Sequence, residues 1–190
     1  HRHHNLRRVA QYEGTTIMSD CCTPNDGKFD VAVIGAGSAG FSAAITAAEE
    51  GANVALIGYG TIGGTCVNVG CVPSKALIRA AETLHVANAA DRFNGIEASA
   101  KVTAWKSVVE QKQDLVDDLR KAKYSDLLPA YNSVVYLEGE AAFSNSGGLV
   151  VGGKVIDAKK VIIATGTRPA LPSIEGITDV SYLTSTTALE

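Results

Sequence analysis

Two cysteines, Cys66 and Cys71, are the residues in this sequence best suited to chemistry, because they lie five positions apart in a segment rich in glycine. Pro73 follows at a position typical of the first turn of a helix. Such a segment can bend until the two sulfur atoms come within disulfide distance. The spacing is not that of a thioredoxin-like C-x-x-C motif, and no second Cys or His pair lies nearby to complete a zinc site. We therefore predict a redox pair; the alternative is two buried cysteines that act as small apolar residues.

The surroundings of the pair favour a thiolate. Cys71 lies immediately before the predicted helix, whose amino terminus stabilises a negative charge. Lys75 follows one turn later and adds a positive charge that can face the same site, although a plain surface lysine is the alternative. A second pair, Cys21 and Cys22, falls in a polar segment without periodicity; it could ligate a soft metal, but the more favoured interpretation is no function.

A glycine-rich segment upstream has the pattern G-x-G-x-x-G. It consists of Gly35, Ala36, Gly37, Ser38, Ala39 and Gly40. An apolar strand is predicted before it at 29–34 and an alanine-rich helix after it at 38–50, which is the context that a dinucleotide-binding loop requires. Gly35 would allow the tight turn, Gly37 the approach of a pyrophosphate, and Gly40 close packing of the helix. We predict that phosphates bind at the helix amino terminus; a simple strand-to-helix turn is the alternative.

One element of that motif is missing. The pattern expects an acidic residue at the end of the second strand, where it binds a ribose hydroxyl, but this chain has Gly58, Tyr59 and Gly60 there. Ribose must therefore be held in another way, and backbone groups are candidates.

The predicted elements place both segments in an α/β fold. Strand 29–34, helix 38–50 and strand 53–57 form an expected right-handed βαβ unit. Further helices are predicted at 72–90 and at 102–128, where the last ends before Pro129. Short strands follow at 134–137, 140–143, 149–151, 155–157 and 160–164. Glycine pairs separate some of these strands, so we expect a parallel sheet with an antiparallel β-meander.

Composition narrows the class of protein. With 190 residues and 46% hydrophobic content, the chain can bury one sizeable core. The net charge of -3 provides no basic surface for nucleic acid or an anionic membrane, so a small soluble ligand is the expected partner. No apolar run approaches the ~20 residues that span a bilayer, and no signal peptide is evident, which favours the cytoplasm. Residues 1–28 are predicted to be a flexible leader, and 1–17 to lie upstream of a natural start at Met18.

The run from Gly63 to Lys75 resembles the active-site sequence of the pyridine nucleotide-disulfide oxidoreductases, and the resemblance covers residues 29–190. The triplet Ala164, Thr165 and Gly166 is similar to the second flavin-contacting segment of that family. Within the family, the residue types at Val67, Val72 and Ser74 resemble those that mercuric reductases carry at the same positions. Dihydrolipoamide dehydrogenases tend to carry leucine and isoleucine at the two valines, and glutathione reductases a lysine at the serine. Lys123 and Tyr124, late in the predicted helix 102–128, resemble the residues that mercuric reductases carry there as well.

This resemblance implies an FAD-binding domain in which NADPH reduces FAD and FAD reduces a disulfide between Cys66 and Cys71. It implies that Cys66 exchanges with the substrate, a thiolate-bound Hg(II), that Cys71 lies against the flavin, and that Tyr124 lines the metal site. For Tyr124, an ordinary residue of an amphipathic helix is the alternative. The implied FAD-binding residues are Gly35, Gly37, Ser38, Ala39, Gly40, Gly64, Thr65, Lys75, Ala164, Thr165 and Gly166.

The resemblance also implies that the chain is the amino-terminal portion of a homodimeric enzyme and stops before the NADPH-binding domain. Two other hypotheses remain open at this point. The chain could belong to a sister enzyme that reduces glutathione disulfide or lipoamide. Taken alone, it could also be an incomplete flavin-binding module without turnover.

Overall fold

The computed structural model describes residues 28–190. The predictions for residues 1–27, including the flexible leader, the start at Met18 and any role of Cys21 and Cys22, lie outside the described residues. Strand β1 begins at Lys28, one residue before its predicted start.

The described chain forms six strands and four α-helices. The strands are β1 (Lys28–Ile34), β2 (Val54–Gly58), β3 (Val134–Glu138), β4 (Ala141–Phe143), β5 (Leu149–Val151) and β6 (Lys154–Ile163). The helices are α1 (Ser38–Glu49), α2 (Gly64–Val69), α3 (Cys71–Asn88) and α4 (Trp105–Arg120), and α4 continues into a π-helical turn at Lys121–Ser125. Short 3-10 turns lie at Ala90–Arg92, Leu128–Ala130 and Ile177–Asp179.

All six strands belong to one sheet, in the order β3-β2-β1-β6-β5-β4. Strands β3, β2, β1 and β6 are parallel, whereas β4, β5 and the beginning of β6 are antiparallel. The predicted α/β fold, with a parallel sheet and an antiparallel meander, is therefore confirmed.

Strands β1 and β2 form the centre of the core. On one face Val33, Val54 and Leu56 pack against Phe41 and Ala44 of α1. On the other face the sheet packs against residues of the meander, in a cluster formed by Phe29, Ala32, Ala55, Ile57, Leu149 and Val151. Burial on both faces explains why the two strands read as continuous apolar runs.

Three local predictions were wrong. The segment around Cys66 is a short helix, α2, rather than a glycine-rich loop, and Cys71 is the first residue of α3 rather than the residue before it. Helix α4 ends at Arg120, and Pro129 lies within a 3-10 turn instead of following a helix.

Strands 155–157 and 160–164 were predicted separately but form a single strand, β6, which pairs with β5 over its first residues and with β1 over the rest. Lys159 and Lys160, at the point where the two strands were predicted to be separate, face solvent, and Lys159 forms an ion pair of 2.8 Å with Asp30 of β1. None of the helices within residues 28–190 has the length and apolarity that crossing a bilayer requires.

Candidate active site

A cleft of about 650 Å³ opens at the carboxyl ends of β1, β2 and β6. In parallel α/β sheets this edge is where ligands bind. The cleft is lined by these predicted site residues: Gly35, Gly37, Ser38, Ala39, Gly64, Thr65, Cys66, Ala164, Thr165 and Gly166. Gly40, Cys71, Lys75 and Tyr124 were predicted to act at the same site but do not line this cleft.

The glycine loop is shaped by close backbone contacts. Gly35 has φ +119°, and a side chain there would overlap the carbonyl group of Ala164. The amide of Ala164 in turn donates to the carbonyl of Ile34 over 2.7 Å. A side chain at Gly40 would overlap the carbonyl of Gly35, which explains why α1 can pack so close to the turn. The loop and the segment after β6 therefore meet at one end of the cleft.

Helix α1 presents its amino terminus to this cleft. It begins at Ser38, and no side chain caps its first turn. The first amide groups of a helix carry partial positive charge and need acceptors, so an anionic ligand is favoured there. Gly37, directly before the helix, adds no side chain to the opening.

A second pair of glycines joins this loop to the cysteine segment. Gly63 forms a parallel bridge with Gly37, and its amide donates to the carbonyl of Ala36 over 2.9 Å. Gly64 has φ +67°, and a Cβ atom there would lie 2.8 Å from the Cα of Gly37. The absence of side chains at these positions brings the start of α2, and with it Cys66, to the end of the cleft formed by the glycine loop.

The two thiols are neighbours. Gly70 lies between α2 and α3, and a Cβ atom there would approach the carbonyl oxygen of Thr65 to 2.8 Å, so the chain can turn back only because this residue is glycine. Cys66 and Cys71 are both free thiols and both exposed. A hydrogen bond with the Cys71 side chain raises the pKa of the Cys66 thiol, and partial burial and the charge of Cys71 raise it further. The charge of Lys75 acts in the opposite direction, so this lysine is close to the pair.

Sequence reasoning missed the side chain that fixes α2 in place. The Asn68 amide donates to the carbonyls of Ile62 and Gly64, each over 2.9 Å. Its oxygen accepts a hydrogen bond of 3.0 Å from Arg120, which also pairs with Asp117 in α4. The only signal was an asparagine in the middle of the cysteine segment. Its partner is 52 positions away, which no local pattern could reveal.

Tyr124 lies in the core below the glycine loop. Its side chain is 8% exposed and packs edge-on against Phe41, with ring centroids 4.7 Å apart. Its hydroxyl shares a hydrogen bond of 3.0 Å with Ser38. The π-helical turn that contains Tyr124 is a local widening of the helix, of a kind often found at functional sites. The structure thus links this tyrosine to the glycine loop, and its predicted role toward a metal remains untested.

Sequence reasoning also missed the turn after β3. Gly139, Glu140 and Ala141 line the cleft opposite the glycine loop. The amide of Gly139 donates to the carbonyl of Gly58 over 2.8 Å, which holds this turn at the end of β2. Among residues 28–190 no group of three or more His, Cys, Asp or Glu side chains is arranged to hold a metal ion. A metal at the cysteines would therefore have the two sulfurs as its ligands from this part of the chain.

The family comparison agrees with this geometry. The model of the pyridine nucleotide-disulphide oxidoreductases matches residues 29–190, which include the whole cleft. The chain belongs to this family. Its members are oxidoreductases, and the match covers both the glycine loop and the segment that carries Cys66 and Cys71.

Two relatives with high similarity are named mercuric reductase. The one from Lysinibacillus sphaericus is 43% identical over 183 residues, which is 96% of this chain and 33% of the relative. The one from Staphylococcus aureus is 46% identical over 165 residues, covering 87% of this chain and 30% of the relative. The chain therefore spans about a third of the length of the relatives that it matches.

A solved relative has the same fold. The HOCl-induced flavoprotein disulfide reductase RclA from Escherichia coli superposes with a TM-score of 0.68 at 31% identity, covering 84% of this chain and 33% of its own. This chain and a flavoprotein disulfide reductase thus share a fold, and the proteins named mercuric reductase are similar to the chain in sequence.

Proposed function

We propose that this chain is the FAD-binding, redox-disulfide part of a mercury(II) reductase that uses NADPH. The observation that carries the proposal is the position of Cys66, which lines the same cleft as the glycine loop, while Cys71 is close enough to raise the pKa of its thiol. The naming of several relatives at 42–46% identity as mercuric reductases supports the choice of substrate. We further propose that the enzyme is a cytoplasmic homodimer.

The residues that line the cleft fit FAD. The uncapped start of α1, together with the side-chain-free Gly37, offers amide donors to a pyrophosphate. Thr65 and the triplet from Ala164 to Gly166 lie along the same cleft and would contact the remainder of the cofactor. When bound, FAD supplies two-electron transfer between NADPH and the cysteine pair.

The two cysteines bind the substrate. Hg(II) is a soft ion that prefers thiolate ligands, and Cys66 is the sulfur exposed in the cleft. An incoming Hg(II) bound by two small thiolates first exchanges one of them for Cys66 and then the other for Cys71. Each small thiolate takes up the proton that its cysteine releases, so charge and atoms balance. Two electrons from NADPH, passed on by FAD when it is bound, would then convert Hg(II) to Hg(0) and leave both cysteines as thiolates. Hg(0) has little affinity for the sulfurs and would leave.

Lys75 and Tyr124 have supporting roles in this proposal. The charge of Lys75 lowers the pKa of Cys66 and so favours the thiolate that attacks the metal. Tyr124 remains a candidate for the metal site by its family resemblance, although its hydroxyl is bonded to Ser38 here.

A disulfide reductase with an organic substrate is the second candidate. The solved relative RclA is named a flavoprotein disulfide reductase. Its structural similarity to this chain, with a TM-score of 0.68, supports the same chemistry at a cysteine pair. The two candidates share the cleft and the thiols and differ only in the substrate.

Turnover of the complete protein separates the two candidates. We expect NADPH oxidation with Hg(II) in excess small thiol, and little oxidation with glutathione disulfide or lipoamide. Cys66→Ala should retain FAD, because the glycine loop is intact, and should lose Hg(II) reduction. Glu82→Gln, an exposed change on α3, serves as the matched control and should leave both properties unchanged. Faster turnover of glutathione disulfide than of Hg(II) by the unaltered protein would decide for the second candidate.

A further inference from the structure

We propose that Glu140 binds the adenosine ribose of FAD, and thereby replaces the acidic residue that the dinucleotide-binding motif places at the end of β2. This inference rests on the proposed FAD binding and goes beyond it, because it assigns the ribose subsite to a residue outside the motif.

The chain has glycine, Gly58, at the position where the motif places the acid, and the side chain of Tyr136 occupies the space beside it. Gly58 ends β2 and is buried. A Cβ atom there would overlap the hydroxyl of Tyr136 and would lie 2.9 Å from the Cβ of Ala36. An acidic side chain at position 58 therefore has no room unless Tyr136 moves.

Tyr136 is itself a poor substitute for a carboxylate. Burial raises the pKa of its hydroxyl, and the charge of Glu138 raises it further, so the phenol stays neutral. Tyr136 does not line the cleft. It occupies the space that the acid would need without offering a negative charge to a ligand.

The adjacent strand supplies a carboxylate at the same edge of the sheet. Strand β3 runs parallel to β2 with Glu138 beside Gly58, and the chain then turns at Gly139, whose amide is bonded to the Gly58 carbonyl. Glu140 follows directly and lines the cleft, whereas Glu138 does not. Among the described residues that line this cleft, Glu140 is the only carboxylate.

Glu140 is also held in position and available. Its carbonyl accepts a hydrogen bond of 3.3 Å from Gly152, which ties the turn to the meander. Its side chain is exposed and forms no ion pair within residues 28–190. A carboxylate has two oxygens that can accept hydrogen bonds from the two ribose hydroxyls. The same charge would repel a phosphate at the 2′ position of the ribose, so the site fits the adenosine of FAD, whose 2′ and 3′ hydroxyls are both free.

Binding of FAD to the complete protein, freed of its flavin and followed by flavin fluorescence, tests the assignment. Glu140→Gln should weaken FAD binding by roughly tenfold to a hundredfold, because a hydrogen bond to a charged group is lost. Glu138→Gln is the matched control: it removes the same charge two residues earlier, at the end of β3 and outside the cleft, and should change the affinity less than about twofold. An FAD analogue that lacks the 2′ and 3′ hydroxyls of the adenosine ribose should bind with the same affinity to both variants and to the unaltered protein.

The outcomes distinguish this inference from the function on which it rests. Unchanged FAD affinity in Glu140→Gln would overturn the inference and leave the proposed function standing. An equal loss of affinity for FAD and for the deoxygenated analogue would overturn it too, because the carboxylate would then not act on the ribose. Failure of the unaltered protein to bind FAD at all would overturn the proposed function, and the inference with it.

Discussion

The proximity of Cys71 raises the pKa of the Cys66 thiol and so affects how Cys66 can react. Two adjacent thiols do not ionise independently: once one has lost its proton, the hydrogen bond and the negative charge hold the proton on the other. In this structure the pKa of the Cys66 thiol is raised, and Cys71 is the main cause. Cys66 therefore needs a higher pH than an ordinary cysteine to become a thiolate.

A pH profile of alkylation tests this coupling. The alkylation rate of Cys66 in the reduced protein should rise at a higher pH than that of a free cysteine, because only the thiolate reacts. Cys71→Ser removes the partner charge, so the profile of Cys66 should shift toward lower pH. Lys75→Gln should shift it in the opposite direction, since the lysine charge favours the thiolate. Mass spectrometry of the alkylated peptide measures the rate at Cys66, and an unchanged profile in Cys71→Ser would show that the two thiols are not coupled.

At the scale of elements, the contact between the glycine loop and α2 is the feature that joins cofactor binding to the cysteines. Gly64 combines a left-handed backbone with a close approach to Gly37. Asn68 and Arg120 then hold α2 against α4. A change at Gly64 should therefore affect both stability and the cleft.

Gly64→Ala should destabilise the fold by about 2–4 kcal/mol, as the sum of left-handed backbone strain and a contact that forces the loop and α2 apart. Gly51→Ala is the matched control, because Gly51 also has a positive φ, of +87°, but has no atom within 4 Å of the added Cβ. It should cost only the backbone strain, about 1–2 kcal/mol, and leave FAD binding intact. Urea denaturation and FAD retention measure the two effects. Equal losses of stability in both variants would show that the contact with Gly37 contributes nothing.

Local patterns were sufficient for the central part of the fold. The apolar runs of β1 and β2, the alanine-rich α1 and the glycine spacing between them are all determined by residues close in sequence, and each was predicted correctly. Helix α2 was not, because its flanking glycines favour a loop. It forms because Val67 is buried and because Asn68 has partners in α4 and in the preceding turn.

The predictions about the site had the same limit. Residues within the two motifs were found, since each motif is contiguous. Glu140 was not found, because it reaches the cleft only through the pairing of β3 with β2, about 80 residues apart in the chain. The position of Tyr124 under the glycine loop likewise depends on a contact 86 positions long, with Ser38.

In the whole molecule, a bound flavin and the pair of Cys66 and Cys71 would act as two neighbouring redox centres. Each centre takes up one pair of electrons, the flavin in its ring and the cysteines by opening a disulfide. Binding of FAD and the presence of the thiols do not by themselves establish this, because a flavin could be bound without any exchange with the sulfurs.

Anaerobic titration of the air-oxidised, FAD-loaded complete protein with dithionite measures this capacity directly. We expect the unaltered protein to take up two pairs of electrons per flavin, and Cys66→Ser and Cys71→Ser each to take up only one. Uptake of a single pair by the unaltered protein, equal to that of the two serine variants, would contradict the central claim that Cys66 and Cys71 are the redox partner of the flavin.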